Sequence, residues 1–305
     1  MLSSHQSRGN VKLNQLREVV AIAEQGSIRS AARSLQIGQP ALTRSLAELE
    51  RELGASLFER RSRGVVATPL GQLFVRRAMS IMHEVRRARD EVEQFSGSST
   101  GTVTAGLSIA AHLALLPPTL RPFTKRFPDA KLHIMEGFYP TLELGLREGS
   151  VDFYLGVDSG QRVAPELTRE VISPNRRTVL CRSGHPLAKA TALAQLTAAR
   201  WATNSITLAD EDEIGIIFEQ HGLPPPKVCL RSQSALTLMT CLLNSDLLSM
   251  VPVQWNEFAL TRGVLATIPV REELAAAPIV IIRRADLVLT PAARYFLDLL
   301  QRTQL

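Results

Sequence analysis

The stretch 26–71 constrains this chain most, because two short helical patterns lie there on either side of one turn. In the first pattern Ala31, Ala32 and Leu35 share one helical face. In the second, leucine recurs at helical spacing, at Leu42, Leu46, Leu49 and Leu53. Each segment therefore has an apolar stripe that can face the other, and the small alanines allow a close approach of the two helices.

The turn between the two patterns predicts where the second helix begins. Gly38 is expected to lie in the turn. Pro40 suits the first turn of a helix, because the N–H that proline lacks would have no partner there. The second helix is therefore expected to start near Gln39. Its outer face carries Gln39, Thr43 and Arg44, where a helix in the DNA major groove presents its reading side chains.

Upstream, the pattern predicts one more helix over 13–24. The residues expected to face inward are Leu13, Leu16, Val20 and Ala23. Gly26 and Ser27 are then expected to end this helix and to cap the next, because a serine hydroxyl accepts from a free backbone N–H.

Downstream, two short extended runs within 57–69 surround a basic, glycine-containing tip and predict a hairpin wing. Arg60, Arg61 and Arg63 lie within four positions at that tip. They are suited to phosphates or a minor groove. The alternative is a solvated charged loop.

The net charge of +6 is unevenly distributed. Residues 1–95 hold fifteen Lys and Arg against ten Asp and Glu, whereas the remainder holds twenty against nineteen. The basic excess lies with the helix-turn-helix, which favours contact with phosphates.

Residues 70–95 form a four-three apolar repeat typical of a coiled-coil seam. The predicted dimerisation residues are Phe74, Ala78, Ile81, Val85, Ala88 and Val92, with Phe95 continuing the repeat. Packing on the same domain is the alternative. The Ser/Gly segment 96–101 that follows is the clearest domain boundary. The predicted division is a DNA-binding domain at 1–69, a linker helix at 70–95, a hinge at 96–101 and a ligand-binding domain at 102–305.

The rest of the chain alternates strands with helices, which predicts parallel pairing in an α/β fold of two lobes around a cleft. Strands are expected at 103–107, 131–135, 151–157, 178–181, 201–203, 227–231, 247–251 and 279–282. Helices are expected at 111–126, 139–147, 214–221, 235–244 and 291–301.

Several classes are disfavoured. Cys181, Cys229 and Cys241 lie far apart, and the six histidines are scattered, so buried free thiols and no metal site are expected. No apolar run approaches the ~20 residues of a membrane helix, and 1–10 lacks the core of a signal peptide, so a cytosolic protein without a membrane partner is expected. Nothing completes a catalytic site around Ser108 and His112, and no cofactor is predicted.

The N-terminal part resembles the LysR-type transcriptional regulators. The matching positions are Leu16, Gly26, Ser27, Ala31, Ala32, Leu35, Gln39, Pro40, Ala41, Leu42, Thr43, Arg44, Leu46, Leu49, Glu50, Leu53, Gly54, Leu57, Phe58, Arg60, Arg63, Gly64, Thr68 and Gly71. The likeness continues more weakly in the second part, at 127–128, 149–152 and 184–187. Thr43, Ser45 and the pair Ala47 and Glu48 depart from the residues usual in the family.

This resemblance implies a winged helix-turn-helix, a dimerising linker helix and a periplasmic-binding-protein-like effector domain. It also implies a homodimer or homotetramer on double-stranded DNA near promoters, with RNA polymerase as a further candidate partner. The residues predicted to contact DNA are Ser27, Arg29, Gln39, Pro40, Thr43, Arg44, Arg61 and Arg63.

The cleft is assigned by the same resemblance. Its predicted effector-binding residues are Ser108, Ile109, Ala110, His112, Thr203, Ser205, Ser232 and Gln233. Hydroxyls and backbone N–H groups there suit a small organic anion such as a carboxylate, although helix capping by the serines is an equal alternative. The acidic run 210–213 is expected to face solvent; facing the cleft, it would favour a cationic or zwitterionic ligand.

The sequence therefore predicts a cytosolic, DNA-binding transcription regulator that senses a small molecule, and not an enzyme. A solute-binding protein and an α/β metabolic enzyme are the two alternatives from other classes.

Overall fold

The computed structural model describes residues 10–62, 64–204, 209–257 and 261–303. It divides into two compact units. The first contains the described residues up to Ser98 together with Arg147–Ser150, and the second contains Ser99–Leu146 and the described residues from Val151 onward.

The first unit is a winged helix-turn-helix followed by a long helix. Its elements are α1 (Leu13–Gln25), α2 (Ile28–Ser34), α3 (Gln39–Leu53), β1 (Phe58–Arg61), β2 (Gly64–Ala67) and α4 (Pro69–Phe95). The predicted start of α3 at Gln39 is confirmed, with Pro40 in its first turn. Gly26, at φ 60°, ends α1 in the left-handed conformation that glycine adopts without strain.

The core of this unit differs in detail from the predicted stripes. Its buried residues include Val19 and Ile22 of α1, Ala31 and Ala32 of α2, and Leu42 of α3. Leu13 and Leu53, both predicted to face inward, are 38% and 39% exposed. Each lies at a helix end, beyond the reach of the neighbouring helices, so the periodic pattern extends one turn further than the packing.

The wing is held against the start of α4 by a close approach at Gly71. A Cβ atom at Gly71 would lie 1.9 Å from the carbonyl oxygen of Leu57. Only glycine fits there. The wing itself is an antiparallel pair in which Phe58 lies opposite Ala67 and Arg61 opposite Gly64.

In its described residues, the second unit contains one mixed sheet of nine strands. Its first lobe contains β3 (Thr102–Leu107), α5 (Ile109–Ala114), α6 (Leu116–Arg126), β4 (Lys131–Glu136), α7 (Tyr139–Glu148), β5 (Phe153–Val157) and the closing helix α10 (Pro291–Arg302). Its second lobe contains β7 (Arg200–Asn204), α8 (Ala209–Gln220), β8 (Lys227–Ser232), α9 (Ala235–Leu243), β9 (Leu247–Pro252) and β10 (Leu265–Ile268).

Two long strands, β6 (Leu167–Arg182) and β11 (Ala275–Arg284), join the lobes. The main strand order is β4-β3-β5-β11-β6-β9-β7-β8. Parallel pairing, as predicted, holds within each lobe, but β6 and β11 run antiparallel to their neighbours. The sequence-based prediction of a strand at 178–181 recovered only the end of β6, because residues 167–177 carry many charged side chains exposed along a lobe-crossing strand.

The predicted helix over 111–126 is wrong, since α5 and α6 are separate helices that meet at Leu115. Pro117 and Pro118 follow immediately, and proline has no N–H to continue a helical ladder. The two-lobed α/β architecture itself is confirmed, with separate apolar cores in the two lobes.

The three cysteines are free, but the expectation that all are buried is wrong. Cys181 is buried, Cys229 is exposed and Cys241 is intermediate. Cys229 lies on the outermost strand β8, where alternate side chains face solvent. Burial raises the pKa of the Cys181 thiol, which keeps it protonated. No helix in the described ranges combines the length and apolar character that crossing a bilayer requires.

Candidate DNA-binding surface and effector cleft

The outer face of α3 presents a cluster of polar side chains near the start of the helix. Gln39, Pro40 and Arg44 are exposed, and Thr43 is half-buried. The Thr43 hydroxyl donates to the carbonyl oxygen of Gln39 at 3.0 Å, and its oxygen keeps lone pairs that can accept a further hydrogen bond. Arg44 makes no ion pair with the described residues and projects a free guanidinium from this face.

Two contacts from α3 to other elements fix the direction of this face. The Ser45 hydroxyl donates to the carboxylate of Glu18 on α1. Glu50 accepts from the backbone N–H groups of Leu57 and Phe58 at 2.6 and 3.2 Å. Ser45, a departure from the family pattern, therefore ties α3 to α1, while Glu50 ties it to the wing.

At the start of α2, Ser27 has the role of a helix cap. Its hydroxyl oxygen accepts from the backbone N–H of Ser30 at 3.4 Å, as the sequence predicted. Ser27 is half-buried, and the neighbouring Arg29 is exposed. Of these two predicted DNA contacts, Arg29 has the freer side chain.

Ser27→Ala is expected to lower the free energy of unfolding of the first unit by about 0.5–1 kcal/mol, because α2 loses its cap. The 3.4 Å hydrogen bond is long, which places the effect at the low end for caps. Urea unfolding followed by circular dichroism measures it. Ser30→Ala keeps the cap and is the matched control; equal stability of wild type and Ser27→Ala would contradict the capping role.

The wing carries two further predicted cationic contacts, Arg61 and Arg63. Arg61 forms an exposed ion pair with Glu59 at 3.5 Å, with 64% of its side chain accessible. Such a pair in water is weak, so Arg61 remains free to exchange Glu59 for a phosphate. The predicted contact Arg63 lies outside the described residues.

The exposure of side chains along α4 differs from the predicted dimerisation seam. Phe74 is half-buried and Ala78 is 1% exposed, because this part of α4 packs inside its own unit. Val85 is half-buried, whereas Ile81, Ala88 and Val92 are exposed. Exposed apolar residues at helical spacing form one face of α4, called here the outer face of α4. They are Leu70, Leu73, Ile81, Ala88, Val92 and Phe95.

The second unit contains a cavity of about 120 Å³ between its lobes. Apolar walls come from side chains such as Phe138, Met250 and Trp255, and polar groups come from both lobes and the crossing strand β6. Such a mixture, with few polar groups among apolar ones, is typical of small-molecule sites.

Half of the residues predicted to bind an effector border this cavity. Ser108, Ile109, Ala110 and Thr203 do so. His112, Ser232 and Gln233 are absent from its walls, and Ser205 lies outside the described residues. His112 lies one turn into α5, and the Ser232 hydroxyl donates to the backbone carbonyl of Ser234. The structure does not bring these three residues to the cavity wall, and their role in effector binding stays a prediction.

Ser108 forms part of the cavity wall through a fixed network. Its hydroxyl oxygen accepts from the N–H groups of Ala111 and Val157 at 3.4 and 3.3 Å, and the side chain is 1% exposed. The neighbouring Tyr154 hydroxyl donates to the carbonyl of Val157 at 3.0 Å. Burial raises the pKa of Tyr154, which stays protonated. Ser108 therefore caps the start of α5, which is the alternative role that the sequence offered for this serine.

Sequence reasoning missed the charged groups of the cavity. Arg177 borders it from β6, and its Nε donates to the carbonyl of Ala275 at 3.2 Å. Its guanidinium pairs with Glu213 of α8, a member of the acidic run expected to face solvent. Asp158 borders the cavity from the end of β5 and pairs with Arg169 at 3.1 Å. Arg177 and Asp158 lie in or beside lobe-crossing segments that carry no local motif.

Within the described ranges, no three His, Cys, Asp or Glu side chains form a group suited to a metal ion.

Two family descriptions match the chain. "Bacterial regulatory helix-turn-helix protein, lysR family" matches residues 13–72. "LysR substrate binding domain" matches residues 96–304.

Relatives and solved structures match over nearly the whole chain. The regulator GbpR of Azospirillum brasilense is 27% identical over 94% of this chain and 85% of its own length. TdcA of Escherichia coli K12 is 24% identical over 84% of this chain and 81% of its own. The crystal structure of full-length CbnR with its target DNA has a TM-score of 0.71 at 22% identity, over 96% of this chain and 100% of the other, and so shares the fold.

Proposed function

This chain belongs to the LysR family of transcriptional regulators. From that premise we propose that it binds double-stranded promoter DNA. We propose further that a small organic anion, such as a carboxylate, controls this binding from a site between the two α/β lobes. Membership of the family makes it a regulator and not an enzyme. The proposed site of action is the cytoplasm, where a bacterial-type regulator would meet promoter DNA.

The proposal that this chain binds DNA rests mainly on Arg44, whose cationic side chain is exposed on the outer face of α3. Arg44 is exposed beside Gln39 and Thr43, and contacts from Ser45 and Glu50 hold the helix in position. An arginine in this place suits a bidentate contact to guanine or a clamp on a phosphate. CbnR, which shares the fold, has been crystallised with its target DNA.

The outer face of α4 supports a homodimer. Val92 and Phe95 are 67% and 76% exposed, and large apolar side chains in a row favour burial against a second copy. A dimer places two reading helices on one DNA molecule, and pairing of dimers would give a tetramer. RNA polymerase is the further partner proposed for a regulator bound near a promoter.

The proposal that the cleft binds an organic anion rests mainly on Arg177. Only 15% of its side chain is exposed, and it borders the cavity between the lobes. A ligand carboxylate there would accept charge-assisted hydrogen bonds from a guanidinium already positioned by Ala275. A ligand that binds one closure of the lobes better than another shifts the population toward it, which supplies the signal to the DNA-binding unit.

Arg177→Gln is expected to abolish stabilisation by the effector. At a concentration of about 100 Kd, a bound ligand adds roughly 2.7 kcal/mol and raises the melting temperature of the wild type by several degrees. Scanning fluorimetry of the full chain against small organic acids measures this shift. Arg176→Gln, an exposed neighbour on β6, is the matched control. Equal shifts in wild type and Arg177→Gln would contradict this role of Arg177.

A further inference from the structure

The cavity between the lobes contains a cation and an anion that already face each other. Arg177 and Glu213 form an ion pair in which 15% and 49% of the two side chains are exposed. The other acidic group of the wall, Asp158, is engaged by Arg169 at 3.1 Å and by the N–H of Gly160 at 3.1 Å. Arg177 and Glu213 are therefore the charged groups most open to exchange with a ligand.

This pairing discriminates between ligand charges. A simple carboxylate that binds Arg177 either displaces Glu213, which leaves that carboxylate unpaired, or shares Arg177 with it, which places two like charges on one guanidinium. Both outcomes weaken the binding of a simple acid. A ligand that carries a cationic group next to its carboxylate satisfies both residues, because the cation takes the place of Arg177 for Glu213.

Asn175 provides an independent observation that points to a ligand in this cavity. It borders the same cavity, is 8% exposed and lies two residues before Arg177 on β6. Its Oδ1 accepts from the N–H of Arg176 at 2.9 Å and from Nε2 of Gln254 at 3.1 Å, which fixes the orientation of the amide. Its Nδ2 is buried without a hydrogen-bond partner among the described residues. A buried donor of this kind favours an acceptor oxygen from a ligand.

The volume limits the size of the ligand. The cavity of about 120 Å³ is slightly smaller than the ~150 Å³ cavity that accommodates benzene in an engineered protein. A molecule of about six heavy atoms fits, and the walls formed by Met250, Trp255 and Ala276 suit a short apolar portion.

We propose that the ligand of this cleft is a small α-amino acid, whose carboxylate binds Arg177 and Asn175 and whose ammonium group binds Glu213. The inference rests on the proposed function, in which the cleft binds a carboxylate, and adds that the ligand is a zwitterion. Glu213 is then the residue that selects against simple organic acids.

The test compares matched ligands on the full chain. Small L-α-amino acids are paired with the acids in which hydrogen replaces the ammonium group, for example L-alanine with propionate and L-serine with 3-hydroxypropionate. Scanning fluorimetry ranks the pairs, and calorimetric titration measures Kd. We expect at least one amino acid to bind at least tenfold tighter than its matched acid. Glu213→Gln is expected to reduce that ratio to about one, whereas Glu219→Gln, an exposed change on the same helix, keeps it.

The possible failures are distinguishable. Acids that bind as tightly as their amino acids, or a ratio that Glu213→Gln leaves unchanged, would overturn the zwitterion and leave the proposed carboxylate effector standing. Absence of binding by every amino acid and every acid would overturn both.

Discussion

Arg44→Ala is expected to weaken binding of the protein to its operator by about 1–3 kcal/mol, or roughly 5- to 150-fold in Kd. The side chain is exposed on α3 and has no competing ion pair among the described residues, so its removal costs DNA contacts and leaves the fold intact. Gel-shift titration or fluorescence anisotropy with an operator duplex measures the loss.

Arg51→Ala is the matched control for this prediction. Arg51 is also exposed on α3 but lies in its last turn, far from the reading end of the helix. It is expected to change affinity only through the long-range charge. Unchanged affinity for Arg44→Ala, or an equal loss for Arg51→Ala, would show that the N-terminal half of α3 does not read the operator.

Ile81→Glu is expected to weaken the dimer by at least about 3 kcal/mol, because it places an unpaired carboxylate from each protomer in the proposed apolar interface. Ile81 is 46% exposed on the outer face of α4, so the substitution disturbs little inside its own unit. Sedimentation velocity would show monomers where the wild type is dimeric. Operator affinity would also fall by a factor of about 10² or more, because a monomer binds one half-site and loses the second, linked contact that the dimer makes.

Gln72→Glu introduces the same charge at an exposed position of α4 outside the outer face and is expected to stay dimeric. Ala78, although part of the predicted seam, is unsuitable for this test, since it is 1% exposed within its own unit and a charge there would disturb folding. An intact Ile81→Glu dimer would reject the outer face of α4 as the interface.

The DNA-binding half was predictable because its signals are local. Gly38, Pro40 and the leucine repeat fix the turn and the second helix from neighbours only a few residues apart. The seam on α4 was predicted less well, since spacing alone cannot say whether a neighbouring helix covers Ala78. That depends on how α4 packs against α1, which is distant from it in sequence.

The effector half was predictable as a fold but not as a site. Ser108 and Thr203 follow or end strands at the cleft, and this position made them predictable. Arg177 and Asn175 lie on a strand that crosses between lobes, where exposed charges hide its alternation. Glu213 reaches Arg177 from a helix 36 residues later, and no local pattern links the two.

Selection from a library of random-sequence DNA duplexes, carried out in parallel with the wild-type chain and with Arg44→Ala, tests the central claim most directly. We expect the wild type to enrich inverted half-sites separated by about one helical turn of 10–10.5 base pairs or a multiple of it, and Arg44→Ala to lose the enrichment. If the wild type enriches no sequence, or Arg44→Ala enriches the same sequence equally well, this chain does not read DNA through α3.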